Sequence, residues 1–141
     1  MNNENNKLKL KKRIIEEMIV DHQNILEKYF DLAKKFISIT SKGTINIISE
    51  EKFSIEEKIL LYLIGKIYAK EAGLVSTEEV GFKELMDNVG VLKGTIYPVI
   101  KRLRDKNKIS QRNQGKLTYI TIPLNLLGNI LSKMKESSLN E

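Results

Sequence analysis

The 141-residue chain carries 41% hydrophobic and 30% charged residues and a formal net charge of +6 at pH 7. This balance fits one globular domain with an appendage, and the length is too short for two well-filled cores. With no cysteine and a single histidine, His22, the chain offers no thiolate, no disulfide and no His- or Cys-based zinc set, so no catalytic residues, metal or cofactor are expected.

Residues 1–50 read as a dimerisation or packing segment. Met1 to Asn6 is polar where a secretory signal needs an apolar core, and the chain has no run of eighteen apolar residues, so a cytoplasmic location without a membrane partner is expected. Lys7 to Thr40 contains neither Gly nor Pro. Leu8, Ile15, Met18, Ile25, Tyr29, Leu32 and Phe36 recur at three- and four-residue steps, which predicts one long amphipathic helix of roughly thirty residues, about 45 Å. His22 lies on this stripe, and Leu26, Phe30, Ala33 and Ile37 widen it beyond a two-stranded coiled-coil seam. A stripe that wide needs a partner surface, and a homodimer is the expectation. Ser41, Lys42 and Gly43 read as a helix stop, and Thr44 to Ser49 as one short strand.

Residues 51–123 carry the stronger signals. Ser54 and Glu57 form a capping-box pattern ahead of Ile55, Ile59, Leu60, Leu63, Ile64 and Ile67, which mark a core helix reaching towards Gly73. Leu74 to Gly81 reads as a connection, and Phe82 to Val89 as a helix of two turns. A turn at Gly90 leads to a second helix, Thr95 to Lys106, with Thr95 as N-cap, so that Pro98 falls where its missing N–H costs no intrahelical bond. At about 100° per residue, Ile96, Val99, Ile100 and Leu103 share one face, with Pro98, Lys101, Arg102 and Asp105 opposite. Ile109 to Arg112 and Leu117 to Ile122 alternate around Asn113-Gln114-Gly115-Lys116, the pattern of a small β-hairpin. In residues 124–141, Leu126, Leu127, Ile130, Leu131 and Met134 predict a short helix from Leu124 to about Lys135, with Ser137 to Glu141 as a frayed tail. The fold class is thus mainly α with a small β-hairpin.

Charge is segregated. Lys93 to Lys116 holds eight cations against one anion, Asp105, a net of +7 that exceeds the charge of the whole chain. A second cluster, Lys7 to Arg13, reads as a solvated helix start. Two short helices joined by a turn, then a basic hairpin, predict a surface for double-stranded DNA. Thr95, Tyr97, Pro98 and Lys101 would approach base edges, while Lys93 and Arg102 would meet phosphates. Arg112, Gln114 and Lys116 would grip the backbone or minor groove from the hairpin. Tyr97 has a second reading, in which its ring packs on the domain edge and only the hydroxyl is presented.

Phe82 to Ile122 resembles the winged helix-turn-helix domain of prokaryotic transcription regulators, bacterial or archaeal. The stretch Gly94-Thr95-Ile96-Tyr97-Pro98, followed by Lys101-Arg102-Leu103, is similar to the recognition helix of the PadR family. That resemblance implies a dimeric repressor whose recognition helix carries Thr95, Tyr97 and Pro98 into the DNA interface. The competing reading is a non-enzymatic adaptor or chromatin-like protein that uses the same surface for protein contact or non-specific nucleic acid. No small-molecule effector is assigned by the residues.

Overall fold

The computed structural model describes residues 2–18 and 21–139. It is mainly helical with two small antiparallel sheets. The centre is helix α4 (Ile55–Glu71), which begins with the predicted capping box. The Ser54 hydroxyl accepts from the Glu57 N–H, and the Glu57 carboxylate accepts from the Ser54 N–H. Ile59 to Ile67 is buried on every side, so α4 is enclosed by other elements and not laid on one face of them.

The N-terminal half departs from the expected single helix. It is divided into α1 (Asn2–Arg13), a π turn at Ile14–Met18, α2 (His22–Lys28) and α3 (Phe30–Ala33), and it ends in strand β1 (Ile37–Ile39). The continuous-helix expectation crosses Ile19 and Val20, which lie outside the described residues. Asp21 restarts the helix as a side-chain N-cap, accepting from the Gln23 N–H at 3.1 Å. Beyond Ala33, Ile37 and Ile39 are β-branched and alternate with Ser38, and they pair with β2 (Ile45–Ile47) in the register Ile37↔Ile47 and Ile39↔Ile45. The Ser41-Lys42-Gly43 stretch is therefore the turn of a hairpin and not a helix stop. The predicted stripe is split in the same way. Leu26, Ala33, Phe36 and Ile37 are buried, whereas Leu8, Ile15, Met18 and Phe30 remain exposed.

The β1–β2 hairpin lies on α4 at Gly65. A Cβ built there would stand 2.5 Å from Ile45 Cγ2 and 3.3 Å from Ile37 Cγ2, so a hydrogen is what lets the sheet approach the helix. Gly65→Leu gains about 1 kcal/mol of helix propensity. Overpacking of about 1–3 kcal/mol or more opposes that gain, and a net loss is expected in urea denaturation. An unchanged midpoint would mean that the hairpin yields at this contact.

After α4, β3 (Val80–Gly81) leads into α5 (Phe82–Val89), a turn, and α6 (Lys93–Asp105). Strands β4 (Ser110–Gln114) and β5 (Leu117–Thr121) follow, and the sheet order is β3-β5-β4. β3 was expected to be part of a connection. Val80 pairs with Ile120 and Gly81 with Tyr119, an edge that two residues alone do not announce. A 3-10 turn at Leu124–Leu126 precedes α7 (Leu127–Leu139), which runs past the expected stop at Lys135. Asn140 and Glu141, at the end of the expected tail, lie outside the described residues. Leu127, Ile130, Leu131 and Met134 of α7 join one buried cluster with Leu26, Phe36, α4 and α6. Among the described residues no helix is long and apolar enough to cross a membrane.

Candidate nucleic-acid interface

Helix α5 ends at Gly90, whose φ of 75° is the left-handed conformation that closes a helix without a Cβ clash. The N–H groups of Gly90 and Val91 both donate to the Met86 carbonyl, and Val91 is buried in the turn. Helix α6 then begins earlier than predicted. Its N-cap is Leu92, not Thr95, because the Ile96 N–H already donates to the Leu92 carbonyl at 2.9 Å. Pro98 is consequently the sixth helical residue and removes one bond to the carbonyl of Gly94, an interior proline where a first-turn proline was expected.

The two faces of α6 separate as the spacing requires. Ile96, Val99, Ile100 and Leu103 are buried, while Thr95, Tyr97, Pro98, Lys101 and Arg102 are exposed. Its first turn holds no acidic residue and no side-chain cap, and Lys93 stands at its first position. A cation at the positive end of a helix dipole is unfavourable within the fold, and it is relieved when an anion docks there.

The eight cations of this region are not equivalent. Arg112 forms a two-pronged pair with Glu79, at 2.7 Å from Nε and 3.1 Å from Nη2. Its guanidinium lies 5.0 Å over the Tyr119 ring, and its Nη1 donates to the Gln114 side-chain oxygen at 3.2 Å. The Arg112 hydrogen bond holds the Glu79 carboxyl below the ordinary carboxylate range. A depressed carboxyl pKa in the fold means that the pair's stabilisation is complete above the ordinary value and is lost only as pH falls through the lowered one. At neutral pH the pair is intact. Arg102 Nε and Lys106 Nζ lie 3.5 and 3.7 Å from the same Glu56 oxygen, and Arg104 donates to Gln111 at 2.9 Å. Among the described residues no carboxylate partner is found for Lys93, Lys101 or Lys116.

Folding brings Tyr97 of α6 and Lys116 of the hairpin to the rim of one cleft of about 610 Å³. Phe82, Lys83, Thr118 and Tyr119 complete much of its wall. The Tyr97 ring stands edge-on to Phe82, with centroids 4.9 Å apart, and remains 49% exposed. The Tyr97 ring thus rests on the domain edge while about half of its surface meets solvent. The hairpin turn is tighter than expected. Gln114 pairs with Leu117, leaving Gly115 at φ 61° and Lys116 as the two turn residues, the arrangement of a type II′ turn. Gln114 is thus in a strand, and Lys116 projects at the tip.

The sequence reading missed several residues of this surface. Lys83 and Thr118 line the cleft, and Leu92 and Leu117 are exposed to 81% and 61% at the turn and the hairpin tip. The only signal for the leucines was an apolar residue inside a polar turn. Lys83 carried none, since a lysine on a helix is ordinarily a solvated one. Lys66 and Glu84, in the adjoining buried network, were also unmarked: Glu84 Oε2 lies 3.1 Å from Lys66 Nζ and accepts from the Tyr62 hydroxyl at 2.7 Å. No family model matches the chain, and no curated protein or solved structure matches it.

Proposed function

We propose that this chain binds double-stranded DNA through a winged helix-turn-helix, with α6 as the recognition helix and the β4–β5 hairpin as the wing, and that it acts as a homodimeric transcription regulator. The observation that carries this reading is the cleft shared by Tyr97 and Lys116. Side chains from a helix and from a hairpin line a single concavity, with a second cation in Lys83 and one carboxylate, Glu84, on the same lining. A duplex backbone is a continuous polyanion, and a concave surface between helix and hairpin with two lysines against one carboxylate suits it better than it suits a compact acidic peptide. Thr95, Pro98 and Lys101 lie on the same exposed face of α6 as Tyr97's flank, in reach of base edges, while Lys93 and the uncapped first turn meet a phosphate.

The carboxylate pairs refine the roles of the arginines. Arg112 and Arg102 enter the interface already shared with Glu79 and Glu56, so they contribute less phosphate affinity than bare charge counting implies. Glu79→Gln weakens that hold on Arg112. Tighter duplex binding and a salt dependence steeper by up to about 0.9 in log–log slope are expected, because one more phosphate contact forms. Unchanged affinity would show that Arg112 stays on Tyr119 and Gln114 and positions the wing instead.

The direct test is fluorescence anisotropy of a labelled duplex across a salt series. A linear fall of log affinity with log salt is expected. Absence of duplex binding at low salt would overturn the proposal, and binding without preference between selected and random duplexes would move the role to an architectural one.

A further inference from the structure

Helix α1 and the π turn after it bury no described side chain, although Glu16, Glu17 and Met18 of the π turn share a pocket with Ile25, Tyr29 and Leu124. Every described side chain from Asn3 to Met18 is exposed, including Leu8 at 64%, Leu10 at 57% and Met18 at 73%. A helix of this length with no buried side chain is marginal in water, so its apolar surface calls for a partner. At helical spacing Leu8, Leu10, Ile14, Ile15 and Met18 fall within one half of the circumference. Lys7, Lys11 and Glu4 lie in the same half, so this face is apolar with two cations and one anion embedded in it, a net charge of +1.

The complementary surface is a groove of about 490 Å³ between α2–α3 and the C-terminal end of α4. Its apolar wall includes Leu26, Phe30, Ile39 and Tyr68, and two carboxylates, Glu27 and Glu71, stand on its lining. Phe30 is 52% exposed and tilted against Tyr68, with ring centroids 6.3 Å apart. The Tyr68 hydroxyl donates to the Leu26 carbonyl at 2.8 Å, which holds the groove wall in shape. Neither carboxylate is matched by a strong internal cation: Glu27 accepts from Gln23 at 3.3 Å, and Glu71 lies 3.6 Å from His22 Nε2.

We infer that the N-terminal helix of one copy seats in this groove of a second copy, reciprocally, so that Leu8, Leu10 and Ile15 cover Phe30 and Tyr68 while Lys7 and Lys11 meet Glu27 and Glu71. The pairing is isologous, since each copy offers both the helix and the groove, and it closes at two chains. This assignment rests on the homodimer reading and is independent of DNA binding.

The chain has no native cysteine, so single cysteines report the contact cleanly. Leu10→Cys and Phe30→Cys both replace exposed side chains and leave the core untouched. Light scattering of the unmodified full chain is expected to give twice 16.2 kDa. A short bis-maleimide is expected to cross-link a mixture of the two variants into a covalent dimer, and to leave each variant alone uncrosslinked. In parallel, the double change Lys7→Glu and Lys11→Glu, and the double change Glu27→Lys and Glu71→Lys, should each weaken dimerisation about tenfold or more, with affinity recovered when all four are combined. A dimer cross-linked by Leu10→Cys alone places the two N-terminal helices against each other and overturns the assignment while sparing the homodimer. A dimer that neither cross-links nor responds to charge reversal uses another face and overturns it likewise. A monomer mass removes both.

Discussion

Replacing Glu84 by alanine is expected to lower stability by about 3 kcal/mol, the lower end of the range for breaking a buried ion pair. Lys66 has a side chain only 10% exposed, and Glu84 Oε2 is the oxygen that faces its ammonium at 3.1 Å and also accepts from the Tyr62 hydroxyl. Removing the carboxylate strands a charge and a hydroxyl in the packed space between α4 and α5. Glu84 itself is 34% exposed, so water relieves part of that penalty. At an m-value of roughly 1–3 kcal/mol per molar urea, the midpoint should fall by roughly 1–3 M. The decisive comparison is the double variant Lys66→Met with Glu84→Leu. If the loss comes from an unpaired buried charge, most of the stability returns when both partners become apolar. If the double variant is as unstable as Glu84→Ala, the network sets the helix packing by shape and not by charge compensation. The tyrosine gives a third readout. Burial and the neighbouring Glu84 carboxylate raise the Tyr62 hydroxyl pKa, and that upward shift should shrink in Glu84→Ala.

The second large effect concerns DNA. Changing Lys93, Lys101 and Lys116 together to alanine removes three cations of the proposed interface that have no carboxylate partner among the described residues. Each phosphate contact contributes about 0.9 to the salt slope, so loss of the Lys93 and Lys116 phosphate contacts should make the triple variant shallower by roughly 1.8, and loss of Lys101 at the base edges should fall on sequence preference. Stability should be nearly unchanged, because all three side chains are exposed. Adding Arg112→Ala to the triple variant is expected to change the slope by less than one further contact, since its guanidinium is already bound to Glu79. A slope that falls as much for Arg112 as for each lysine would show that DNA displaces Glu79. Tyr97→Ala separates specificity from affinity: a selected duplex should lose more than a random one, whereas equal losses would restrict Tyr97 to backbone contact.

Much of the second half was legible because its signals are local. Ser54 with Glu57, Gly90 after Val89, and Gly115 at the hairpin tip each satisfy a backbone requirement within a few residues, and the elements fall where those residues stand. The buried face of α6 followed from periodicity alone, since Ile96, Val99, Ile100 and Leu103 leave no other side of the helix apolar. Thr95 misled as an N-cap. It had the right side chain, but the preceding turn had already placed Leu92 at the start of the helix, and an N-cap is set by where the backbone changes direction.

The first half was misread for the complementary reason. Helical periodicity in Leu32, Phe36 and Ile37 is equally consistent with a helix end followed by a strand, and the choice was made by Ile45 and Ile47 pairing across the turn and by Gly65 admitting the hairpin to α4. Gly65 is distant in sequence and carries no side chain, so its part in that choice leaves no mark on the local pattern. Taken by itself, the sequence determined the helical class, the core helix, the paired helices with their basic hairpin, and which face of α6 is buried, all of which depend on spacing and capping within one element. Only the tertiary structure decided that the N-terminal stripe divides into a buried half and an exposed one, that Tyr97 and Lys116 share a cleft, and that Glu79 and Glu56 claim three of the eight cations. Charge pairing and burial are properties of distance through space, and linear order does not encode which carboxylate arrives beside which arginine.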